Sequence, residues 1–118
     1  MPDHITIIDL NRTRGDDHPF RFQLFQADEI TPGIITGFTF LMTADPNDEP
    51  TDNSNNFWQL TGTVDDGALG KFSFNPSISQ MDLTIDTHFY DVQLIDGGSF
   101  KRTPIRGKLI IEQDITKI

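Results

Sequence analysis

Over most of the chain hydrophobic and polar residues alternate with a period of two, the signature of extended strands that bury one face. The longest such run is 88–95, where Tyr90, Val92 and Leu94 fall on one side and Asp91 and Gln93 on the other. Asp96-Gly97-Gly98 follows it, and glycines able to take positive φ let the chain fold straight back as a hairpin. Residues 88–95 are therefore read as the central strand of an antiparallel sheet. In residues 20–26, Phe20, Phe22 and Leu24 point one way and Arg21, Gln23 and Phe25 the other. In 37–43 the split is Phe38, Phe40 and Met42 against Thr39, Leu41 and Thr43. Residues 57–64 place Trp58, Leu60 and Val64 on one side around Gly62, and 70–75 place Phe72 and Phe74 inward. A short first strand is expected over 5–10, an edge strand limited by Pro104 over 99–105, and a closing strand over 107–115 with Leu109 and Ile111 inward and Ile110 outward.

Between these runs lie turn signals. Residues 11–19 are polar and read as a loop, 27–35 hold the Pro32-Gly33 corner, and Asp65-Asp66-Gly67 makes a turn. Asn75-Pro76 opens at most one helical turn, reaching Met81. Residues 44–56 are rich in Asp, Asn, Pro, Thr and Ser and are expected to form a long, mobile surface loop. Seven or eight short strands without a helix of consequence predict an all-β protein, an immunoglobulin-like antiparallel β-sandwich. Tyr90, near the start of a late strand, fits the tyrosine corner of such sandwiches.

Composition narrows the function classes more than it selects one. With 118 residues the chain, 1–118, is expected to form a single domain. Ten Phe residues in a chain only 36% hydrophobic concentrate the apolar area in a few large side chains, which suits a thin two-layer core. Lys and Arg number 9 against 18 Asp and Glu, a formal charge of −9, and no basic run could follow a phosphate backbone, so nucleic acid is not expected as a partner. No apolar run approaches the roughly 18–20 residues of a membrane helix, and Met1-Pro2-Asp3-His4 does not begin a signal peptide, so neither membrane insertion nor export is expected. The absence of Cys removes disulfides, thiolate metal sites and cysteine nucleophiles, and agrees with a cytosolic origin.

Candidate chemistry is sparse. Arg14-Gly15-Asp16 spells a cell-adhesion tripeptide, but Gly beside Asp is ordinary in a turn, and the structural reading is adopted. The acidic run 45–52 suggests calcium, yet Pro50 stands where an EF-hand loop needs Gly and Asn56 where it needs a bidentate Glu. His4, His18 and His88 show no ligand spacing. No metal, cofactor or catalytic residue is therefore assigned; two carboxylates for a small hydrolase would need a cleft that so small a domain has little room for. Trp58 and Phe25 could stack on a sugar ring, which makes a carbohydrate-binding module the alternative, although the phase of Trp58 with Leu60 favours the core. Phe25, Leu41 and Ile110 each oppose the main apolar set of their strand, and as neighbours they would form a second apolar patch for contact with another subunit.

The order of landmarks from Arg14 to Thr116 resembles small phage virion proteins of the baseplate upper protein N-terminal type. The matching pieces are Arg14-Gly15-Asp16, the strand Phe20 to Leu24, Ile35-Thr36-Gly37 leading into Phe38 to Met42, and Ala44-Asp45-Pro46-Asn47-Asp48. They continue with Gly70-Lys71-Phe72-Ser73-Phe74, Phe89-Tyr90-Asp91-Val92-Gln93, Gly107-Lys108-Leu109 and Gln113-Asp114-Ile115-Thr116. The resemblance implies an immunoglobulin-like sandwich without catalytic residues. It implies a structural adapter in the tail, baseplate or fibre-attachment region, a homo-oligomer that binds other phage structural proteins and is assembled in the host cytoplasm. Longer relatives continue into a stem and a receptor-binding or fibre-docking region, whereas this chain ends at Ile118.

Overall fold

In the computed structural model, which describes residues 6–26, 28, 30–50, 52, 54–98 and 100–113, the alternating runs become nine strands. They are β1 (Thr6–Ile7), β2 (Leu10–Thr13), β3 (Phe20–Gln23), β4 (Thr39–Asp45), β5 (Trp58–Thr61), β6 (Thr63–Asp66), β7 (Lys71–Phe74), β8 (Thr87–Ile95) and β9 (Lys101–Glu112). One sheet has the order β1-β9-β8-β4-β5, with β2 also on β9; the other has the order β3-β7-β6. The expected central strand is central, since β8 runs antiparallel to both β4 and β9.

The sheets meet through aromatic side chains. Phe20 and Phe22 of β3 and Phe72 and Phe74 of β7 are buried against Phe40, Met42, Tyr90, Val92, Leu94, Ile105, Leu109 and Ile111 of the large sheet. The Phe40 and Phe72 rings stack face to face with centroids 3.9 Å apart and 9° between their planes. Phe22 stacks on Phe72 at 5.6 Å. Burying one such side chain contributes about 1.5–3 kcal/mol, so a few rings supply much of the cohesion of a two-layer core.

Several details depart from the alternation. The run 57–64 is not one strand: β5 belongs to the large sheet and β6 to the small one, and the chain crosses between layers at Gly62. A Cβ at Gly62 would lie 2.9 Å from the Phe74 ring and 3.0 Å from Phe40 Cβ, so the crossing passes where no side chain fits. Residues 101–105 are not a separate strand but the first part of the twelve-residue β9, which pairs with β8 on one side and, from Ile105 onward, with β1 and β2 on the other. Pro104, which has no N–H, sits where the β8–β9 register shifts, at the irregularity between Val92 and Leu94. The large sheet is mixed rather than antiparallel, because β1 and β2 run parallel to β9. Gly97 and Gly98 do not take positive φ; the hairpin is closed by Asp96, whose Oδ1 accepts from the N–H groups of Gly98 and Phe100.

The break between β1 and β2 explains Tyr90. Ile8 N–H donates to the Arg106 carbonyl, and Lys108 N–H donates to Asp9 Oδ1, so a carboxylate fills the ladder position that the break leaves open. Across from Tyr90 stands Gly107, and the Tyr90 hydroxyl donates to the Ile8 carbonyl at 2.6 Å. A Cβ at position 107 would run into that carbonyl. The hydroxyl thus ties the central strand to the first strand, 82 residues earlier, instead of making the local bond of a tyrosine corner. Burial, and after it the charge of Asp9, hold the phenol above its usual range, so it remains a donor at ordinary pH.

Tyr90→Phe leaves the Ile8 carbonyl without this donor and should cost about 1–3 kcal/mol in urea denaturation. Gly107→Ala should cost more, because the edge strand must move away. A Gly107→Ala protein as stable as the parent would contradict this seating of β1 and β2.

Candidate functional site

Leu41 and Ile110 both lie half-buried on the outward face of the large sheet, but they are not neighbours. Leu41 pairs with Gln93 and Ile110 with Thr87, and the outward residues Phe89 and Asp91 of β8 stand between those two rows. Phe25 lies past the end of β3 in the other sheet, bridged to Pro32. The three residues therefore do not form one patch. Trp58 is only 8% exposed; its Nε1 donates to the Gln80 carbonyl at 3.0 Å and its ring packs 6.3 Å from Phe20. Its ring face is committed to the core.

Apolar side chains are exposed elsewhere. Ile30 and Ile34 on the β3–β4 connection, Leu69 between β6 and β7, and Phe100 between β8 and β9 are 80%, 66%, 41% and 68% exposed. These connections share one end of the sandwich. Leu24 N–H bonds the Gly70 carbonyl, Gly33 N–H the Leu24 carbonyl and Ile35 N–H the Gly67 carbonyl. Thr39 at the start of β4 pairs with Ile95 at the end of β8. Phe25 and Pro32 belong to the same end. Sequence reasoning passed over these four because they lie in turns, where alternation carries no signal; apolar residues inside polar connections were the available clue.

The second feature is on the outward face of the large sheet. Thr43, Asp91 and Arg106 form one row across β4, β8 and β9, and Asp45 and Phe89 lie in the adjacent row. Residues 46–50 are exposed, yet they arch over these rows. Arg106 Nη2 meets Asp48 Oδ1 at 3.1 Å, across the width of β8. Asp45 is buried at the root of the arch, its Oδ1 accepting from Asn47 N–H at 2.8 Å and its Oδ2 from Asn56 Nδ2 at 2.6 Å. Between arch and sheet is a cleft of about 330 Å³. The expected mobile loop 44–56 is thus shorter than its composition suggested, with Ala44 and Asp45 in β4, and it is anchored at both ends; Thr51 and Asn53 lie outside the described residues.

The remaining candidates have structural roles. Gly15 takes φ 84° and donates to the Met81 carbonyl, while Arg14 Nε lies 3.5 Å from Asp82 Oδ1, so the Arg-Gly-Asp tripeptide is a turn that fastens the β2–β3 connection to the β7–β8 connection. His88 is buried, its Nε2 2.7 Å from the Thr84 carbonyl and its ring edge-on to Phe57. His18 is exposed, and His4 lies outside the described residues. Among the described residues no three His, Asp or Glu side chains converge on a point where a metal ion could sit. No helix of the described residues is long and apolar enough to cross a membrane. The chain matches no known family model, and no curated protein matches it.

Asp91 gives the cleft a titratable centre. Although the side chain still reaches solvent, partial desolvation raises its carboxyl above the usual carboxylate range, with the Arg106 charge acting in the opposite direction. At pH values between its unfolded and folded pKa the folded chain holds a proton that the unfolded chain has lost, so this side chain's contribution to stability falls as pH rises through that window. Below both values there is no difference. Asp91→Asn cannot ionise, and its denaturant midpoint relative to the parent should therefore be higher at neutral pH than in acid; a difference that does not change with pH would contradict the assignment.

Proposed function

We propose that the chain is a structural protein of a bacteriophage virion, an adapter in the tail, baseplate or fibre-attachment region. It binds neighbouring virion proteins, assembles as a homo-oligomeric ring or trimer in the host cytoplasm, and acts by contact without catalysis. The observation that carries the contact reading is the set of exposed Ile30, Ile34, Leu69 and Phe100 on three connections at one end of the sandwich. They are four of the eight large apolar side chains exposed among the described residues, Ile7, Phe57, Ile78 and Ile85 lying elsewhere, and several such side chains on neighbouring connections are what a docking surface offers.

Two further points support it. The order of sequence landmarks resembles the baseplate upper protein N-terminal type. The strand order agrees with the immunoglobulin-like part of that reading: β9-β8-β4-β5 corresponds to the G-F-C-C′ order of a variable-type sandwich, and β3-β7-β6 to B-E-D. On this reading, closed symmetry lets one end of each subunit meet its neighbour while other surfaces stay free for different virion proteins.

Absolute mass by light scattering over a wide dilution range tests it. A closed oligomer should persist on dilution. The double variant Ile34→Ser, Phe100→Ser should fall apart into monomers with an unchanged circular dichroism spectrum, since both side chains are exposed and their loss costs the monomer little. A parent protein that is monomeric throughout, or a variant that still assembles, would reject this end as the contact between copies.

A further inference from the structure

We infer that the cleft beneath residues 46–50 is a binding site for a neutral saccharide, with Phe89 as the stacking platform and Asp91 and Arg106 as the groups that read hydroxyls. The inference does not depend on the virion reading, because it uses a different surface.

The cleft's volume, about 330 Å³, is at the lower end of the range of small-ligand sites. Its walls are chemically mixed. The half-buried Phe89 ring makes no contact with another aromatic ring among the described residues, although the core rings of this protein pair extensively. An aromatic ring that opens into a polar cleft offers the apolar C–H face of a sugar a surface to cover.

Around that ring the polar groups are left with capacity. The Asp91 carboxylate lies opposite Arg106 on the next strand and feels its charge, without a side-chain hydrogen bond to it. Arg106 uses Nη2 on Asp48, and its guanidinium carries five N–H donors in all. Thr43, Thr103, Asn47 and Glu49 add further polar groups to the lining. Carboxylates, a guanidinium, amides and hydroxyls set side by side match a ligand whose neighbouring hydroxyls each donate and accept.

Charge selects among polar ligands. Among the described residues Arg106 is the one cation of the lining and is bridged to Asp48, while Asp45, Glu49 and Asp91 add further carboxylates, so an anionic occupant would be repelled. A neutral polyhydroxylated ring meets no such repulsion and, unlike a simple cation, can donate to the carboxylates, accept from Arg106 and lie on the Phe89 ring. The Arg106–Asp48 bridge links the arch to the sheet across the cleft. The sheet strands beneath hold Phe89, Asp91 and Arg106 in register, so the polar groups are positioned before any ligand arrives.

The test uses the intact chain, labelled with nitrogen-15, and the probes D-glucose, D-galactose, N-acetyl-D-glucosamine and L-rhamnose, each titrated through millimolar concentrations. For a shallow single-ring site the expected dissociation constant is about 1 mM. At least one sugar should give saturable shifts of the amides of Thr43, Phe89, Asp91, Thr103 and Arg106. Phe89→Ala and Asp91→Asn should each weaken that binding roughly tenfold, equivalent to about 1.4 kcal/mol. Asp91 is exposed, so its variant keeps the fold even if Phe89→Ala does not. No saturable shift with any of the four sugars overturns the inference, as does binding that both variants retain. Saturable shifts at the same amides with N-acetyl-lysine amide but with none of the sugars would also overturn it and assign the cleft to cationic side chains.

Discussion

Both surfaces of the large sheet depend on the phase of one strand. Along β8, His88, Tyr90, Val92 and Leu94 point into the sandwich while Phe89, Asp91 and Gln93 point out of it. A slip of one residue in pairing would exchange these sets, placing Asp91 in the aromatic core and the Tyr90 phenol in solvent. The exchange is opposed on three sides at once. Desolvating a carboxylate among Phe22, Phe40 and Phe72 has no compensating partner. The Tyr90 hydroxyl would leave the Ile8 carbonyl, and the side chain now facing Gly107 would collide with the edge strand. The core and the cleft are consequently not separate achievements of the sequence but the two sides of one register.

The layers are joined by a narrow set of contacts that explains the placement of small residues. Phe72 lies between Phe40 of the opposite sheet and Phe22 of its own, and the close stack with Phe40 brings the sheets together where the chain also has to cross between them. Gly62 makes that crossing beside Phe40 and Phe74, its N–H bonded to the Phe40 carbonyl. Gly70 plays a comparable part at the other end of β6 and β7, where φ is 70° and a Cβ would run into the Leu24 carbonyl. Large rings and bare backbone are complementary here: the rings provide cohesion and the glycines let the backbone pass close to them.

Much of this was legible in the residue pattern, and what was not has a common cause. Alternation marks which face of a strand is buried, so the inward sets of β3, β4, β7 and β8 follow from it directly, as does the burial of Trp58. It says nothing about which strand lies alongside. The parallel seating of β1 and β2 on β9 and the change of sheet at Gly62 are therefore invisible to it, as is the continuation of the strand past the bulge at Pro104 into the closing strand. Composition misled in a similar way for residues 44–56. Asp, Asn and Pro mark a loop, but only the fold reveals that Asp45 is buried as the anchor of an arch or that Asp48 reaches Arg106, 58 positions later. Leu41 and Ile110 do lie on the outward face of their strands, whereas Phe25 lies past the end of β3, and whether such residues meet is a matter of register, which separates Leu41 from Ile110.

The same register keeps the two candidate surfaces apart. The exposed apolar connections lie at the end where β3, β6 and β8 leave their sheets, while the arch rises from the opposite end of β4 and covers the outward face of β4, β8 and β9. A contact made through Ile30, Ile34 and Phe100 would bury neither Phe89 nor Asp91. The strands of the large sheet lie between the two surfaces, and the loops that carry them leave opposite ends of β4, so occupation of one need not deform the other. Such a division suits a protein whose one end is fixed in an assembly while a face remains open. It follows from an ordinary property of a sandwich, in which connections gather at the ends and the sheet faces are left to whatever the outward residues can bind.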